Sequence, residues 1–409
     1  MQQKIKTGIP CYGCGVCIAE CKPSAITMNL SPDGFFVPVI DEKKCTNCKQ
    51  CGKVCSFCNV DFFEPKDKIP GIAYSGIVKN NEILSEVTSG GVAFELGKVC
   101  LEKGYSVIGC KYDYSKQIAV HTIATTKEEL RQTIGSKYIQ SLTSDVFENI
   151  DVNKKYALFG TPCQIDSFRR FVRKNNCEEN WVFIDFFCHG VPSYHLWQKY
   201  IDLHTQGLKK LSCKTEKVAK TETDSIKFRD KKNGWGVYTM TMTMTMTMTM
   251  TNGKRYNYNY SRQMYKNDYF LNMFLGDYVL NEPCYTCKFH ELKSAADIRI
   301  GDFWGEKYSS NKTGVSVAIA LTKIGENLMK DIEKECYIAK ETIDTALEGQ
   351  TSTDLIIPKN RKKIINELKS KKSLTLIYVL YCFKRWRAHC FTNFIKKAIR
   401  SLLNLNKGE

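Results

Sequence analysis

The sequence has 409 residues, 43% apolar and 25% charged, enough to bury an ordinary core in two or three domains, which excludes a disordered or collagenous chain. Its 20 cysteines, nine of them before residue 60, are too many for an average enzyme and too unevenly placed for a small disulfide scaffold. Of the net charge of +17, most falls in residues 359–409, where 14 Lys/Arg face two Glu, so the body is nearly balanced and a groove for a nucleic acid is not expected.

Met1 to Lys6 runs straight into a cysteine motif with no basic-then-apolar leader. The expectation is a cytoplasmic protein whose clustered thiols are metal ligands rather than bridges. The first motif is Cys11, Cys14, Cys17, Cys21 and the second is Cys45, Cys48, Cys51, Cys55, both spaced C-x2-C-x2-C-x3-C. At this spacing one loop caps three irons of a cubane cluster, while the fourth cysteine starts a helix that carries it toward the other cluster. Cys11, Cys14, Cys17 and Cys55 are therefore expected to hold one 4Fe-4S centre, and Cys45, Cys48, Cys51 and Cys21 a second. Structural zinc, the other reading, favours separated C-x2-C pairs. Proline does not directly follow Cys21 or Cys55 as it does in the ferredoxin run, and Cys58 is a spare thiol.

A polar, proline-bearing stretch from Glu64 to Gly71 predicts a linker closing a domain of residues 1–65. Beyond it, Ser89-Gly90-Gly91 reads as a turn opening an amphipathic helix over Val92–Leu101, followed by a short strand Ser106–Gly109. Strands at Ala157–Gly160 and Trp181–Phe187, separated by a helix over Ile165–Val172, give a β-α-β rhythm. Cys163 and Cys188 follow those strands, and Cys284 and Cys287 form a C-x2-C pair downstream. Strand ends converge on one edge of a parallel sheet, so these four are either a third thiolate site or, for Cys163 and Cys188, small buried hydrophobes.

Thr and Met alternate without a break from Thr239 to Thr251, which predicts a strand with Met on one face and Thr on the other. Asn252-Gly253 signals a hairpin turn, with a return strand through Tyr256, Tyr258 and Tyr260. Residues 311–372 read as a helical extension. Residues 373–409 read as a basic amphipathic tail, with an apolar run from Leu374 to Phe383 and then Trp386, Phe391, Phe394, Ile395, Ile399 and Leu402 at helical spacing. The run is too short to span a bilayer. Such a tail lies in an anionic membrane interface, docks on a partner, or packs on its own domain.

Several segments together resemble the coenzyme F420 hydrogenase/dehydrogenase beta-subunit family over about residues 1–310. They are the twin cysteine module, Thr88–Gly91, Gly135–Ser141, Gly160–Gln164, Cys188–Ser193, Cys284–Phe289 and Asp297–Gly305. The resemblance implies an α+β or α/β organisation: a small two-cluster ferredoxin-like domain, then a mixed α/β flavin-binding catalytic domain over 72–150 and 151–310. It also implies FAD and a third 4Fe-4S cluster on Cys163, Cys188, Cys284 and Cys287. Ser89, Gly90, Gly91, Ser136, Lys137 and Thr161 become candidate flavin contacts, with Lys137 facing the charge of reduced flavin and His189 relaying a proton. Without the resemblance the glycines are an ordinary turn, Lys137 a surface lysine and His189 a buried, satisfied histidine. The implied function is an iron–sulfur flavoprotein oxidoreductase acting with a small-molecule substrate or with a redox partner protein such as ferredoxin. The alternative is a non-catalytic subunit that hands electrons to a partner, peripheral on the inner face of the membrane.

Overall fold

The computed structural model describes residue 5 and residues 10–211, 217–249, 255–265 and 268–382. Residues 10–59 form a small module in which the two cysteine motifs fold alike. Each contributes a five-residue helix, Val16–Glu20 and Gln50–Val54, opened by a left-handed residue, Gly15 at φ 78° or Lys49 at φ 60°. The third cysteine of each motif lies inside the helix and the fourth caps its C-terminus, whereas the spacing had suggested that the fourth would start one. A left-handed residue just before the helix turns the first three thiols about one point, and the short helix then throws the fourth away from them. Between the helices lies an antiparallel hairpin of β1 (Ile26–Leu30) and β2 (Phe36–Ile40). Ile5, Ile18, Ile26 and Ile40 fill the module with Cys17.

The remainder is built on one nine-stranded mixed sheet. Its strands are β3 (Lys68–Val78), β4 (Ser106–Asp113), β5 (Ile118–Ala124), β6 (Ser141–Leu142), β7 (Tyr156–Gly160), β8 (Trp181–Phe186), β12 (Ile298–Asp302), β13 (Ser316–Thr322) and β14 (Cys336–Glu341). They run in the order β14-β3-β13-β12-β8-β7-β4-β5-β6. β12, β8, β7 and β4 form a parallel centre, with antiparallel neighbours on both sides. Alternate residues take opposite faces as a strand requires: Ala157, Val182 and Ile184 pack with Val92, Leu96 and Leu328 on one side, and Leu158, Trp181 and Phe183 with Ile165, Phe168 and Val172 on the other. The second of these cores also takes in Val16 and Val54 of the cysteine module, so module and sheet share one interior. This is the mixed α/β architecture with a ferredoxin-like module that the sequence suggests.

Three expectations shift. β3 begins at Lys68, inside the presumed linker, and Pro70 is accommodated beside the irregular register between Ala320 and Thr322. Residues 311–372 are not simply helical, since β13 and β14 lie there; β13 is buried at every position, which erases the alternation that marks a half-exposed strand. Leu374–Tyr381 is a helix as read, yet Leu374, Ile377 and Tyr378 pack into the protein's own core beside Trp197, Tyr200 and Ile364. The remaining tail, Phe383 to Glu409, lies outside the described residues. Among the described residues no helix is long and apolar enough to cross a membrane.

The Thr-Met run forms β10 (Thr239–Thr249) as expected, central in a three-stranded sheet between β9 (Lys217–Lys227) and β11 (Arg255–Tyr265). Met244, Met246 and Met248 stand opposite Tyr260, Tyr258 and Tyr256; the Asn252-Gly253 turn lies outside the described residues. At the inner end Met240 and Met242 join the aromatic core around Trp197 and Phe228, while Thr241 donates to Asp230 Oδ2 at 2.7 Å.

Candidate functional site

The thiols fall into three neighbouring groups. Cys11, Cys14 and Cys55 all raise the pKa of Cys17, and Cys14 and Cys55 raise that of Cys11, so the four lie close together. Burial is the main cause, lifting Cys11 to about 12 and Cys14 to about 11. Without metal these thiols keep their protons, so a metal that binds here must displace them. Cys21, Cys45, Cys48 and Cys51 line one cavity together with Glu20, Pro23 and Ile40. This second group sits at the rim: Cys48 is exposed, and hydrogen bonds from the Gln50 backbone and Thr46 lower its pKa. Cys17 also feels Cys51, so the first two groups adjoin.

The third group is assembled by the sheet. Cys163 and Cys188 follow the carboxyl ends of the adjacent parallel strands β7 and β8, where clefts form in such sheets. Cys284 lies in the short helix Glu282–Tyr285 and Cys287 just beyond it. Cys163 feels Cys188 and Cys287, and Cys284 feels the same two. Burial pushes Cys188 up to about 12. Close approach needs Gly190, at φ 123°, because a Cβ there would stand 3.1 Å from Cys284 Cβ. Cys163 also feels Cys14, which sets the third group against the first.

Among the described residues no three His, Cys, Asp or Glu side chains converge tightly enough to hold a single metal ion. Four thiols are the donor set a cubane cluster takes, and the third group offers the same composition as the two in the dicluster module. By the chemistry of their donors, the residues fit iron–sulfur clusters.

Polar contacts fasten the groups to one another. Asn281 Nδ2 donates to the Cys11 carbonyl at 2.7 Å, Thr143 Oγ1 to the Cys14 carbonyl at 3.0 Å, and the Cys14 thiol approaches Ser167 Oγ at 3.4 Å. Lys288, next to Cys287, donates from Nζ to the carbonyls of Ser56, Asn59 and Asp61 at 2.9, 2.7 and 3.1 Å. The Tyr12 ring packs on Phe57 and Phe289, between the first and third groups. Arg299, fully buried, grips Asp185 with Nε and Nη2 at 2.9 and 2.7 Å. Its charge also favours the thiolates of Cys188 and Cys287. The sequence had placed Arg299 and Lys288 only in stretches of resemblance, and Asn281 in none.

The flavin candidates are only partly brought together. Ser136 N donates to Thr88 Oγ1 at 3.0 Å, which joins Ser136 to the Ser89–Gly91 turn. Gly91, at φ 91°, is the N-cap of the helix Val92–Glu102, with no side chain capping it. A helix start without a side-chain cap is the kind of end that suits a phosphate. Gly90 is there for packing, since a Cβ would lie 2.1 Å from the Gly76 carbonyl oxygen, and Ser89 Oγ is spent on the Val315 carbonyl at 2.8 Å. Lys137 is half-buried rather than a surface residue. Its Nζ donates to the carbonyls of Thr133 and Ile134 at 2.8 and 2.9 Å, and burial lowers its pKa to about 8. Thr161 stands apart, its Oγ1 3.2 Å from the Cys163 thiol. His189 Nε2 lies 2.8 Å from Asp277 Oδ1, though not aligned as a hydrogen bond, and its ring meets the edge of Phe274.

The family model for the C terminus of the coenzyme F420 hydrogenase/dehydrogenase beta subunit matches residues 153–346, and its N-terminal counterpart matches residues 73–148. A 4Fe-4S dicluster domain model matches residues 10–59. The match reaches past residue 310, where the resemblance read from the sequence stopped. A solved structure of the F420-reducing NiFe hydrogenase complex from Methanosarcina barkeri aligns at 16% identity and a TM-score of 0.43, over 74% of this chain and 94% of that one. No curated protein matches.

Proposed function

Because the chain belongs to the coenzyme F420 hydrogenase/dehydrogenase beta-subunit family, a redox family, and carries a 4Fe-4S dicluster domain, we propose that it is an iron–sulfur flavoprotein oxidoreductase with three clusters. The observation that carries this reading is the contiguity of the three thiol groups, Cys51 beside Cys17 and Cys14 beside Cys163. Cys21, Cys45, Cys48 and Cys51 hold the outer cluster, Cys11, Cys14, Cys17 and Cys55 the middle one, and Cys163, Cys188, Cys284 and Cys287 the inner one. FAD is held at the helix start by Gly91, with Ser89, Gly90, Ser136 and Lys137 around it, while Thr161 lies beside Cys163 in the third thiol group. When bound, the clusters supply single-electron transfer and the flavin converts between single electrons and hydride.

The chain's own residues set the conditions. The first and third thiol groups are half-buried, Cys17 wholly so, while the exposed Cys48 leaves the outer centre the most open to a redox partner protein such as ferredoxin. Lys137, its pKa lowered to about 8 by burial, would supply a proton or a positive charge beside the flavin candidates. His189, held near Asp277, is placed to pass a proton to a small-molecule substrate. A cytoplasmic location and a peripheral contact through residues 383–409 complete the proposal.

The test is anaerobic mixing of the loaded protein with reduced ferredoxin. Loss of the cluster absorption together with the flavin band is expected. Loss of cluster absorption alone identifies a non-catalytic electron-transfer subunit, and absence of flavin from the purified protein contradicts the flavin assignment.

A further inference from the structure

The helix Leu374–Tyr381 contains no charged residue, yet only one of its faces is covered. Leu374, Ile377 and Tyr378 enter the core around Trp197, while Leu376, Val379 and Leu380 are 45%, 53% and 55% exposed. These three stand at i, i+3 and i+4 and so form one stripe. A helix that is apolar all round belongs in apolar surroundings on every side. The neighbouring helix Tyr269–Leu275 is held to it by the Tyr269–Tyr378 ring stack at 4.7 Å and by Asn272 Nδ2, which donates to Tyr378 Oη at 3.2 Å; it ends in a further exposed leucine, Leu275. The flank of the stripe is basic. Lys371 and Lys372, both exposed, precede the helix, and Lys363 Nζ lies 5.4 Å from the centre of the Tyr381 ring. Glu367, the acid nearest in sequence, is paired with Lys372 at 2.8 Å. Between Glu367 and Glu409 the sequence has ten Lys/Arg and no Asp or Glu, seven of them set after residue 382 among Trp386, Phe391, Phe394, Ile395 and Ile399.

We propose that the stripe of Leu376, Val379 and Leu380, with its basic flank, is the part of the described fold that seats in an anionic lipid surface. The proposal deepens, and rests on, the peripheral contact through residues 383–409. The apolar side chains enter at the boundary of the acyl chains while the lysines stay with the phosphates, the division of roles an interfacial helix needs. A basic flank whose one nearby acid is already paired selects an anionic surface over a zwitterionic one. An acidic protein is the other cover such a stripe could take. The core beneath the stripe contains none of the twelve cysteines of the three thiol groups, however, so nothing ties this face to the exchange of electrons.

The test is sedimentation of the full-length protein, and of its triple variant Leu376→Ser, Val379→Ser, Leu380→Ser, with vesicles of phosphatidylcholine alone or of phosphatidylcholine with phosphatidylglycerol. The parent is expected to bind the anionic vesicles, less tightly as salt is raised, and the triple variant to bind them at least about tenfold more weakly. Equal binding by parent and triple variant overturns the proposal and leaves the contact to residues 383–409 alone. A parent that binds neither kind of vesicle defeats the peripheral reading itself, a distinguishable outcome. Binding to both kinds alike, unaffected by salt, contradicts the anionic surface. Retention of the parent but not of the triple variant on immobilised ferredoxin, with vesicle binding unchanged, assigns the stripe to a protein instead. Should the triple variant fail to fold, the full-length double variant Lys363→Glu, Lys371→Glu decides. At least about tenfold weaker binding to the anionic vesicles is expected, and parent-like binding overturns the proposal.

Discussion

Asn281 Nδ2 donates to the backbone carbonyl of Cys11 at 2.7 Å, across 270 residues of sequence. Asn281 caps the short helix that carries Cys284 and is almost wholly buried, so one amide ties the first cysteine loop to the third thiol group. Asn281→Ala leaves the Cys11 carbonyl without this donor, at a cost of about 1–3 kcal/mol. Denaturant unfolding of the loaded protein should show that loss, and iron release to a chelator should quicken. An unchanged release rate would mean the bond does not hold the loop.

Arg299 and Asp185 form a two-pronged pair with no exposure of either side chain, and Ser294 Oγ donates to the same carboxylate at 2.7 Å. Arg299→Leu strands a buried carboxylate and should cost about 3–5 kcal/mol. Adding Asp185→Leu should recover part of it, because the orphaned charge goes with it. If the double variant is as unstable as the sum of the singles, the pair is not coupled.

The architecture was legible wherever the signal was local. Ligand spacing alone separates the two cysteine motifs, and the buried runs at Tyr156–Gly160 and Trp181–Phe186 stand out as strands. The third thiol group is not local: Cys163 and Cys188 meet because β7 and β8 are parallel neighbours, and nothing in the sequence states which strands adjoin. Asn281 and Lys288 were invisible for another reason. A side chain that donates to a distant carbonyl leaves no periodicity and no motif. Strand β13 was missed because, buried on both faces, it lacks the alternation by which strands are read.

The Lys137 ammonium gives a pH prediction. Its folded pKa, lowered to about 8 by burial, lies below the value of about 10.4 for an unfolded lysine. Below pH 8 the folded state carries the full penalty of a buried charge. As pH rises from 8 toward 10.4 the unfolded chain holds more protons than the folded one, so stability rises. The stability of the parent relative to Lys137→Met should therefore increase through that window and be level below it. A difference that falls across the window, or stays flat, would contradict the burial of this charge.

Gly90→Ala places a Cβ 2.1 Å from the Gly76 carbonyl oxygen and 2.5 Å from Ser316 N. Neither backbone atom can yield cheaply, so about 1–3 kcal/mol of overpacking strain is expected, together with weaker retention of flavin at the neighbouring Gly91. Retention is measured by acid-released flavin after gel filtration. Parent-like stability would show that the turn is not packed on the sheet.

The most direct test of three four-thiolate sites beside a flavin is elemental analysis of the anaerobically purified full-length protein: iron, acid-labile sulfide, zinc and acid-released flavin per chain. The account predicts about twelve irons with matching sulfide and one flavin. About eight irons without flavin would remove the third site and the flavin, and zinc without sulfide would contradict the redox assignment as a whole.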